Sequence, residues 1–163
     1  MASSNPSAHH DEGDRRTLKD LSFREWRTLV PIGVLLPVFA VGVRMAGYGR
    51  LRAFLARLGP EPRPMDSQAA VDDAKATGRL VNGAAARLPF PVSCLPRALT
   101  LWWLLRLRRM ESDVRIGVRH EEGRLQAHAW VEGNGTVLND KPDINERFAA
   151  FDPIDWPKGA DWV

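Results

Sequence analysis

The hydrophobic residues of this 163-residue chain change their spacing once, close to Met110, and this change limits the possible folds more than any other feature. Before it, apolar residues recur three and four positions apart over residues 71–88, and Leu95–Met110 is apolar on nearly every side, as in helices. After it, apolar residues alternate with arginine or glycine over Val114–Arg119, as in a strand. Helices followed by an antiparallel sheet predict an α+β fold.

Two more strands are predicted after this one. In Leu125–Glu132, the smaller apolar residues share one face, and His128 and Trp130 lie on the other. The glycine-rich segment Gly133–Gly135 is typical of a hairpin loop, so Thr136–Asp140 is predicted to return as a third strand.

The N-terminal part divides into a polar tail and an apolar helix. Residues 1–20 carry almost no large apolar side chains, so we predict a disordered tail. Leu29–Val43 lies in an uncharged stretch of 16 residues between Arg27 and Arg44. Because it contains two prolines and a bilayer-spanning helix needs about 20 apolar residues, the prediction is a buried, kinked helix.

A basic amphipathic helix is predicted over Tyr48–Leu58. Its arginines could meet an acidic partner or, in peripheral membrane contact, lipid headgroups, although such charges usually line a solvated face. The proline-rich Gly59–Pro64 then breaks the chain, which sets a helical region, residues 21–64, apart from residues 65–163.

Charge and cysteine content exclude several classes of protein. The net charge of +3 is a small excess over 43 charged residues, so a dedicated nucleic-acid-binding protein is not expected. A single cysteine allows neither an internal disulfide nor the usual zinc-ligand spacing. Since no secretory signal is apparent, we expect a cytoplasmic protein.

Cys94 is a candidate nucleophile. It stands where a helix is predicted to begin, and the unpaired N–H groups and dipole of a helix start favour the thiolate. Taken alone, a lone cysteine is more often packed in a core than reactive. His128 changes that balance, because it lies off the predicted core face of its strand and can exchange a proton with a neighbour.

Hairpin register predicts the partner of His128. If Gly133–Gly135 is a three-residue loop, the numbers of paired residues add up to 268, and His128 faces Asp140. A two-residue loop of Gly133 and Asn134 places Asn139 opposite instead. A carboxylate or an amide there could hold one ring nitrogen and leave the other for the thiol.

Four blocks of sequence around these residues resemble the transglutaminase-like leader peptidases of lasso-peptide biosynthesis. The blocks are Ser93–Leu99 (SCLPRAL), Ile116–Val118 (IGV), Ala127–Glu132 (AHAWVE) and Leu138–Asp140 (LND). The resemblance implies a papain- or transglutaminase-like cysteine peptidase fold, in which N-terminal helices precede a Cys-bearing central helix packed on an antiparallel sheet. Residues 65–163 would form its catalytic core.

The activity that the resemblance implies is removal of the leader from a ribosomally synthesised lasso-peptide precursor, before a separate cyclase closes the macrolactam. Cys94 matches the nucleophile of that family, His128 its general base and acid, and Asp140 its orienting acid, with no cofactor and no metal. The resemblance also implies a leader-recognition protein. We expect it to act in trans, because the residues before Asp66 show no strand alternation, and the cyclase is a further expected partner.

Two neighbours of these residues have open roles. Arg97, one turn after Cys94, could bind an acidic part of the substrate or brace the helix, and bracing is favoured. Trp130 could shield His128 from water or fill space. The rival functions are an acyltransferase or amidase with the same three residues, and a non-catalytic scaffold module of a biosynthetic complex.

Overall fold

A computed structural model of the chain describes residues 23–121, 124–151 and 161–162. The predicted disordered tail, residues 1–20, lies outside the described residues. Helices come first and strands follow, which confirms the α+β class. The elements are α1 (Phe23–Ala46), α2 (Tyr48–Leu58), α3 (Gln68–Ala85), α4 (Cys94–Leu107), β1 (Asp113–Glu121), β2 (Arg124–Gly133), β3 (Thr136–Val137), α5 (Ile144–Arg147), β4 (Ala149–Phe151) and β5 (Asp161–Trp162).

Helix α1 extends beyond Leu29–Val43 at both ends and keeps Pro31 and Pro37 inside it. The prediction of a buried helix holds for one face only: Ile32 and Leu36 enter the core, while the opposite face is exposed. The sequence of α1 is apolar on all sides, which is why the helix was expected to be buried. Among the described residues, however, other helices pack against one side of it only. Within the described residues, no helix has the length and apolar content required to traverse a bilayer.

Helices α3 and α4 form the centre of the molecule. Helix α3 begins after Ser67, whose Oγ accepts the N–H of Ala70 at 3.2 Å, and its predicted apolar stripe is buried. Helix α4 begins at Cys94, tolerates Pro96 in its first turn and buries 10 of its 14 residues. One apolar core joins α1, α2, α3 and α4 to one face of the sheet.

The sheet is built around the long hairpin of β1 and β2. Its order is β3-β2-β1-β4, with antiparallel pairing throughout, and β5 pairs in parallel with the first part of β2. The predicted antiparallel sheet is therefore correct except at β5. Gly117 of β1 lies opposite His128 of β2 in the middle of the hairpin.

The two faces of the sheet are covered differently. Ala129 and Val131 of β2 point into the helical core, which confirms the predicted inward face. On the other face, Trp130 packs with Ile144 and Phe148 in a second, smaller cluster. The predicted polar face is thus partly buried, because α5 and the following Phe148 lie against it before the chain joins the edge of the sheet as β4.

Strand β3 is shorter than the predicted Thr136–Asp140. The backbone N–H of Leu138 still donates to the carbonyl of Val131 at 2.9 Å, but the next bond to that strand comes from a side chain: the Val131 N–H donates to Asn139 Oδ1 at 2.8 Å. The backbone therefore leaves the ladder after Val137, and residues 138–140 form a bend instead of a strand.

Candidate active site

Cys94 lies at the first position of helix α4, and its side chain is nearly enclosed, with the residue 2% exposed. The preceding residue, Ser93, has extended backbone and makes no side-chain cap. The backbone amides of this helix start are therefore not occupied by a serine oxygen. The predicted helix start at Cys94 is confirmed.

His128 and Asp140 are in direct contact. The ring Nε2 of His128 lies 2.6 Å from Oδ2 of Asp140, and the other carboxylate oxygen accepts the backbone N–H of Lys141 at 2.8 Å. Both oxygens of the carboxylate are thereby held. The second ring nitrogen, Nδ1, is buried and has no hydrogen-bond partner among the described residues.

Electrostatics favour a charged imidazole in this site. Burial lowers the pKa of His128, but the hydrogen bond with Asp140, the adjacent Cys94 thiol and the carboxylate charge together outweigh burial and raise that pKa from 6.5 to about 9. Burial raises the pKa of Asp140, yet contact with His128 and the Lys141 amide holds it below its usual value. At neutral pH these shifts favour an imidazolium paired with a carboxylate, and Cys94 lies close enough to the ring to affect its pKa.

The raised pKa makes the stability of the fold depend on pH. A histidine whose pKa rises on folding stabilises the protein fully below its unfolded value of 6.5, and this contribution is lost as the pH passes about 9. Compared with His128→Gln, the wild-type free energy of unfolding should fall by on the order of 3 kcal/mol across that interval. Urea unfolding of both proteins at several pH values measures the difference.

The control for this prediction is His120→Gln, which removes an exposed histidine from β1. Its stability, measured over the same pH interval, gives the baseline for the loss of an exposed histidine. A wild-type advantage over His128→Gln that does not change with pH would contradict the charged state assigned to the site.

Aromatic rings enclose His128 on the face of the sheet away from the helices. The ring of Trp130 is nearly parallel to the imidazole, with centroids 6.2 Å apart, and the ring of Phe148 lies at 5.2 Å. Trp130 is fully buried, and its Nε1 donates to Glu132 at 2.8 Å. These rings cover one side of the imidazole.

Gly117 leaves the space that these rings occupy. A Cβ at this position would lie 2.8 Å from Cη2 of Trp130, 3.0 Å from Cβ of Phe148 and 3.1 Å from the carbonyl of Ala149. The last two atoms belong to the backbone or are fixed next to it, so they cannot easily move. Glycine in the middle of a strand therefore permits a close approach here.

We expect Gly117→Ala to destabilise the protein by about 1–3 kcal/mol, the usual cost of overpacking a well-filled site. Urea or thermal unfolding measures the effect. Gly49→Ala is the matched control: its Cβ would meet no atom within 4 Å inside helix α2, so alanine there should be neutral or slightly stabilising. Equal stability of the two variants would show that the packing around Gly117 has room for a Cβ.

The register of the second hairpin differs from the prediction. Gly133 pairs with Thr136 and Glu132 with Val137, so the loop is a two-residue turn of Asn134 and Gly135. Both turn residues have positive φ, 50° and 68°, as an Asn-Gly turn of this type requires. The predicted three-residue loop and its sum of 268 are wrong, although the predicted contact between His128 and Asp140 is confirmed.

Asn139 does not hold His128, so the alternative partner proposed for it is wrong. Its Oδ1 accepts a hydrogen bond from the Val131 N–H, and its backbone carbonyl accepts one from the side-chain amide of Asn82 at 2.8 Å. Helix α3 touches the same segment at Gly78, where a Cβ would lie 2.5 Å from the Leu138 carbonyl. Asn139 is a positioning residue that fixes the segment carrying Asp140.

Arg97 braces the segment before Cys94. Its Nε donates to the Ser93 carbonyl at 3.3 Å. The same side chain lines a cavity of about 360 Å³, whose other walls are mostly apolar side chains from residues 85–92. The cavity therefore lies one helical turn from Cys94 and presents one guanidinium group to an apolar space.

Sequence reasoning missed Phe148, Asn82 and Gly117 as neighbours of this site. Gly117 had a usable signal, since a glycine inside a strand indicates a close approach of another group. Phe148 and Asn82 reach the site only through contacts between segments distant in the chain, and local patterns do not reveal those. Among the described residues, no group of three or more His, Cys, Asp or Glu side chains could hold a metal ion.

Comparison with known proteins gives one match. The family model of the transglutaminase-like superfamily matches residues 35–151, which include Cys94, His128 and Asp140. No curated protein and no solved structure matches the chain significantly.

Proposed function

The chain belongs to the transglutaminase-like superfamily, and from this premise we propose that it is a cysteine peptidase that removes the leader from a lasso-peptide precursor. The observation that carries the proposal is the contact of His128 Nε2 with Asp140 Oδ2 at 2.6 Å, beside a cysteine at a helix start. The superfamily includes cysteine peptidases and acyltransferases. The four sequence blocks that resemble lasso leader peptidases favour the peptidase and supply the proposed substrate.

The Cys94 thiol first gives its proton to solvent, since the His128 imidazole is already protonated. The resulting thiolate attacks the carbonyl carbon of the scissile peptide bond, and the C–N bond breaks while the imidazolium of His128 gives its proton to the departing amine. A thioester of the leader remains on Cys94. Neutral His128 then takes a proton from water, whose oxygen attacks the thioester and releases the leader carboxylate and the thiol.

Each ring nitrogen has a separate task in this scheme. Asp140 holds Nε2, which fixes the ring orientation and supports its positive charge. Nδ1 is then the nitrogen for the thiol and for proton transfer, and its lack of a partner among the described residues fits that task. The backbone N–H of Cys94, at the start of α4, is the proposed donor to the oxyanion.

The substrate and partners are part of the proposal. A peptide at Cys94 would pass the apolar cavity beside Arg97, which has room for a side chain of the precursor. Recognition of the leader by a separate protein in trans belongs to the same proposal, and the four sequence blocks that resemble the lasso leader peptidases support it. The cyclase that uses the freed core peptide is a further proposed partner.

The experiment incubates the full chain with a tagged precursor peptide encoded beside it, with and without the leader-recognition protein, in ¹⁸O-labelled water. Mass spectrometry should detect free leader with label in its new carboxylate and a core peptide with a free N-terminus. An added amine that appears in the leader product would indicate acyl transfer instead. Precursor binding without any cleavage, including in the complete mixture, would favour the scaffold function and refute the peptidase.

A further inference from the structure

The outer face of helix α1 carries a straight row of exposed apolar side chains. Val34, Val38, Val41 and Met45 are between 55% and 82% exposed, and Val30 continues the row at 55%. Isolated exposed apolar residues are ordinary on protein surfaces, but a contiguous row of large ones usually marks an interaction site. The side chains of α1 that enter the core, among them Ile32 and Leu36, lie on the opposite side of the helix, so this row points away from α3 and α4.

The spacing of the row is that of a helix-pairing seam. From Val34 the steps are four, three and four residues, which is the alternation of d and a positions in a heptad. The seam runs for about 17 Å along the helix, the length of about three turns. A narrow row of four β-branched valines and one methionine fits the groove of another helix and lacks the breadth of the apolar face of an interfacial membrane helix.

The charges beside the row have one sign. Residues 26–58 contain five arginines and neither aspartate nor glutamate. Arg52 is paired with Asp113, but Arg44, Arg50 and Arg57 make no ion pair with any described residue. Arg44 falls at a g position, on one edge of the seam. Gly42 falls at an e position, on the other edge, where Leu51 of α2 packs against it.

From this placement we infer that the outer face of α1 docks a helix of a partner protein, one with apolar residues at heptad spacing and acidic residues along both edges. A second copy of this chain fits less well, because the same arginines would face each other across the seam. The inference concerns a face separate from the active site and does not rest on the peptidase activity.

The test uses the full chain and two synthetic helical peptides of about three heptads, both with leucine at a and d. One peptide has glutamate at e and g, and the other has lysine there. We expect the glutamate peptide to bind at least about tenfold more tightly than the lysine peptide, with a preference that shrinks as salt is raised. Isothermal calorimetry or fluorescence anisotropy measures both affinities.

Two variants connect the binding to α1. The triple change Val34→Ser, Val38→Ser and Val41→Ser should abolish binding of the glutamate peptide, whereas Leu107→Ser, at an exposed apolar position at the end of α4, should leave it intact. Arg44→Glu should weaken the binding of the glutamate peptide and strengthen the binding of the lysine peptide. Urea midpoints close to wild type would show that these exposed positions do not alter folding.

Three results would overturn the inference. The first is that neither peptide binds, or that both bind equally. The second is binding of the chain to vesicles of phosphatidylglycerol that the serine changes abolish, with no binding of the glutamate peptide. The third is a dimer in sedimentation that the same serine changes dissociate.

Discussion

Cys94→Ala should reduce leader release by at least about a thousandfold, because the loss of a nucleophile removes the covalent route and leaves only the contributions of binding and oxyanion stabilisation. The protein should remain folded. Cys94 is buried but small, so its replacement leaves at most a minor cavity and costs about 1 kcal/mol or less. The cleavage assay and urea unfolding of the same preparation separate the two effects.

Alkylation provides an independent reading of the same side chain. The chain has one cysteine, so any mass gained from iodoacetamide reports on Cys94 alone. At about pH 6 an isolated thiol is almost entirely protonated and reacts slowly. The wild type should react at least about tenfold faster at this pH than His128→Gln, because the positive charge of the nearby imidazolium stabilises negative charge on the sulfur as it attacks the reagent. Equal rates would contradict activation by His128, whatever the substrate proves to be.

Asp140→Ala should lower leader release by about 10²–10⁴-fold, the range expected when the group that orients a catalytic imidazole is removed. Burial alone lowers the pKa of His128, so loss of the carboxylate should bring that pKa down from about 9. Titration of the imidazole by NMR measures this shift directly. An unchanged His128 pKa in the variant would contradict the pairing seen in the structure.

Two neighbouring variants serve as controls for Asp140. Asp143→Ala removes an exposed carboxylate of the same loop that caps nothing, so neither activity nor the His128 pKa should change. Asn139→Ala leaves the Val131 N–H without its acceptor and should cost about 1–3 kcal/mol of stability. In Asn139→Ala the pKa of His128 should still lie well above 6.5, which separates positioning of the segment from contact with the ring.

Local sequence patterns predict the parts of this molecule that depend on neighbours in the chain. The start of α4 at Cys94 follows from an apolar run with Pro96 in its first turn, and the two faces of β2 follow from simple alternation. The contact of His128 with Asp140 was predicted through a wrong register. The contact still forms because β3 ends at Val137. The direction of the Asp140 side chain therefore does not depend on the register of that strand, which was predicted with an error of one residue.

What the sequence did not reveal depends on contacts across the chain. The bond from Asn82 to the Asn139 carbonyl joins residues 57 positions apart. Phe148 reaches His128 only because α5 packs against one face of the sheet and β4 then pairs with β1. The exposed row on α1 was predicted to be buried, since an apolar sequence does not say how many sides of a helix find cover. Such cover depends on which elements pack against the helix, and among the described residues they cover one side of α1.

The site is divided between two layers that could move against each other. The thiol belongs to α4 and the imidazole to β2, whereas the bend that carries the carboxylate is held to both layers, to α3 through Gly78 and Asn82 and to β2 through the Val131 N–H. A slight shear of the sheet past the helices would therefore change the sulfur-to-ring distance, while the bonds to β2 would help to keep the carboxylate next to the ring. Alignment of the thiol with the imidazole depends on how the hairpin of β1 and β2 is seated against α4.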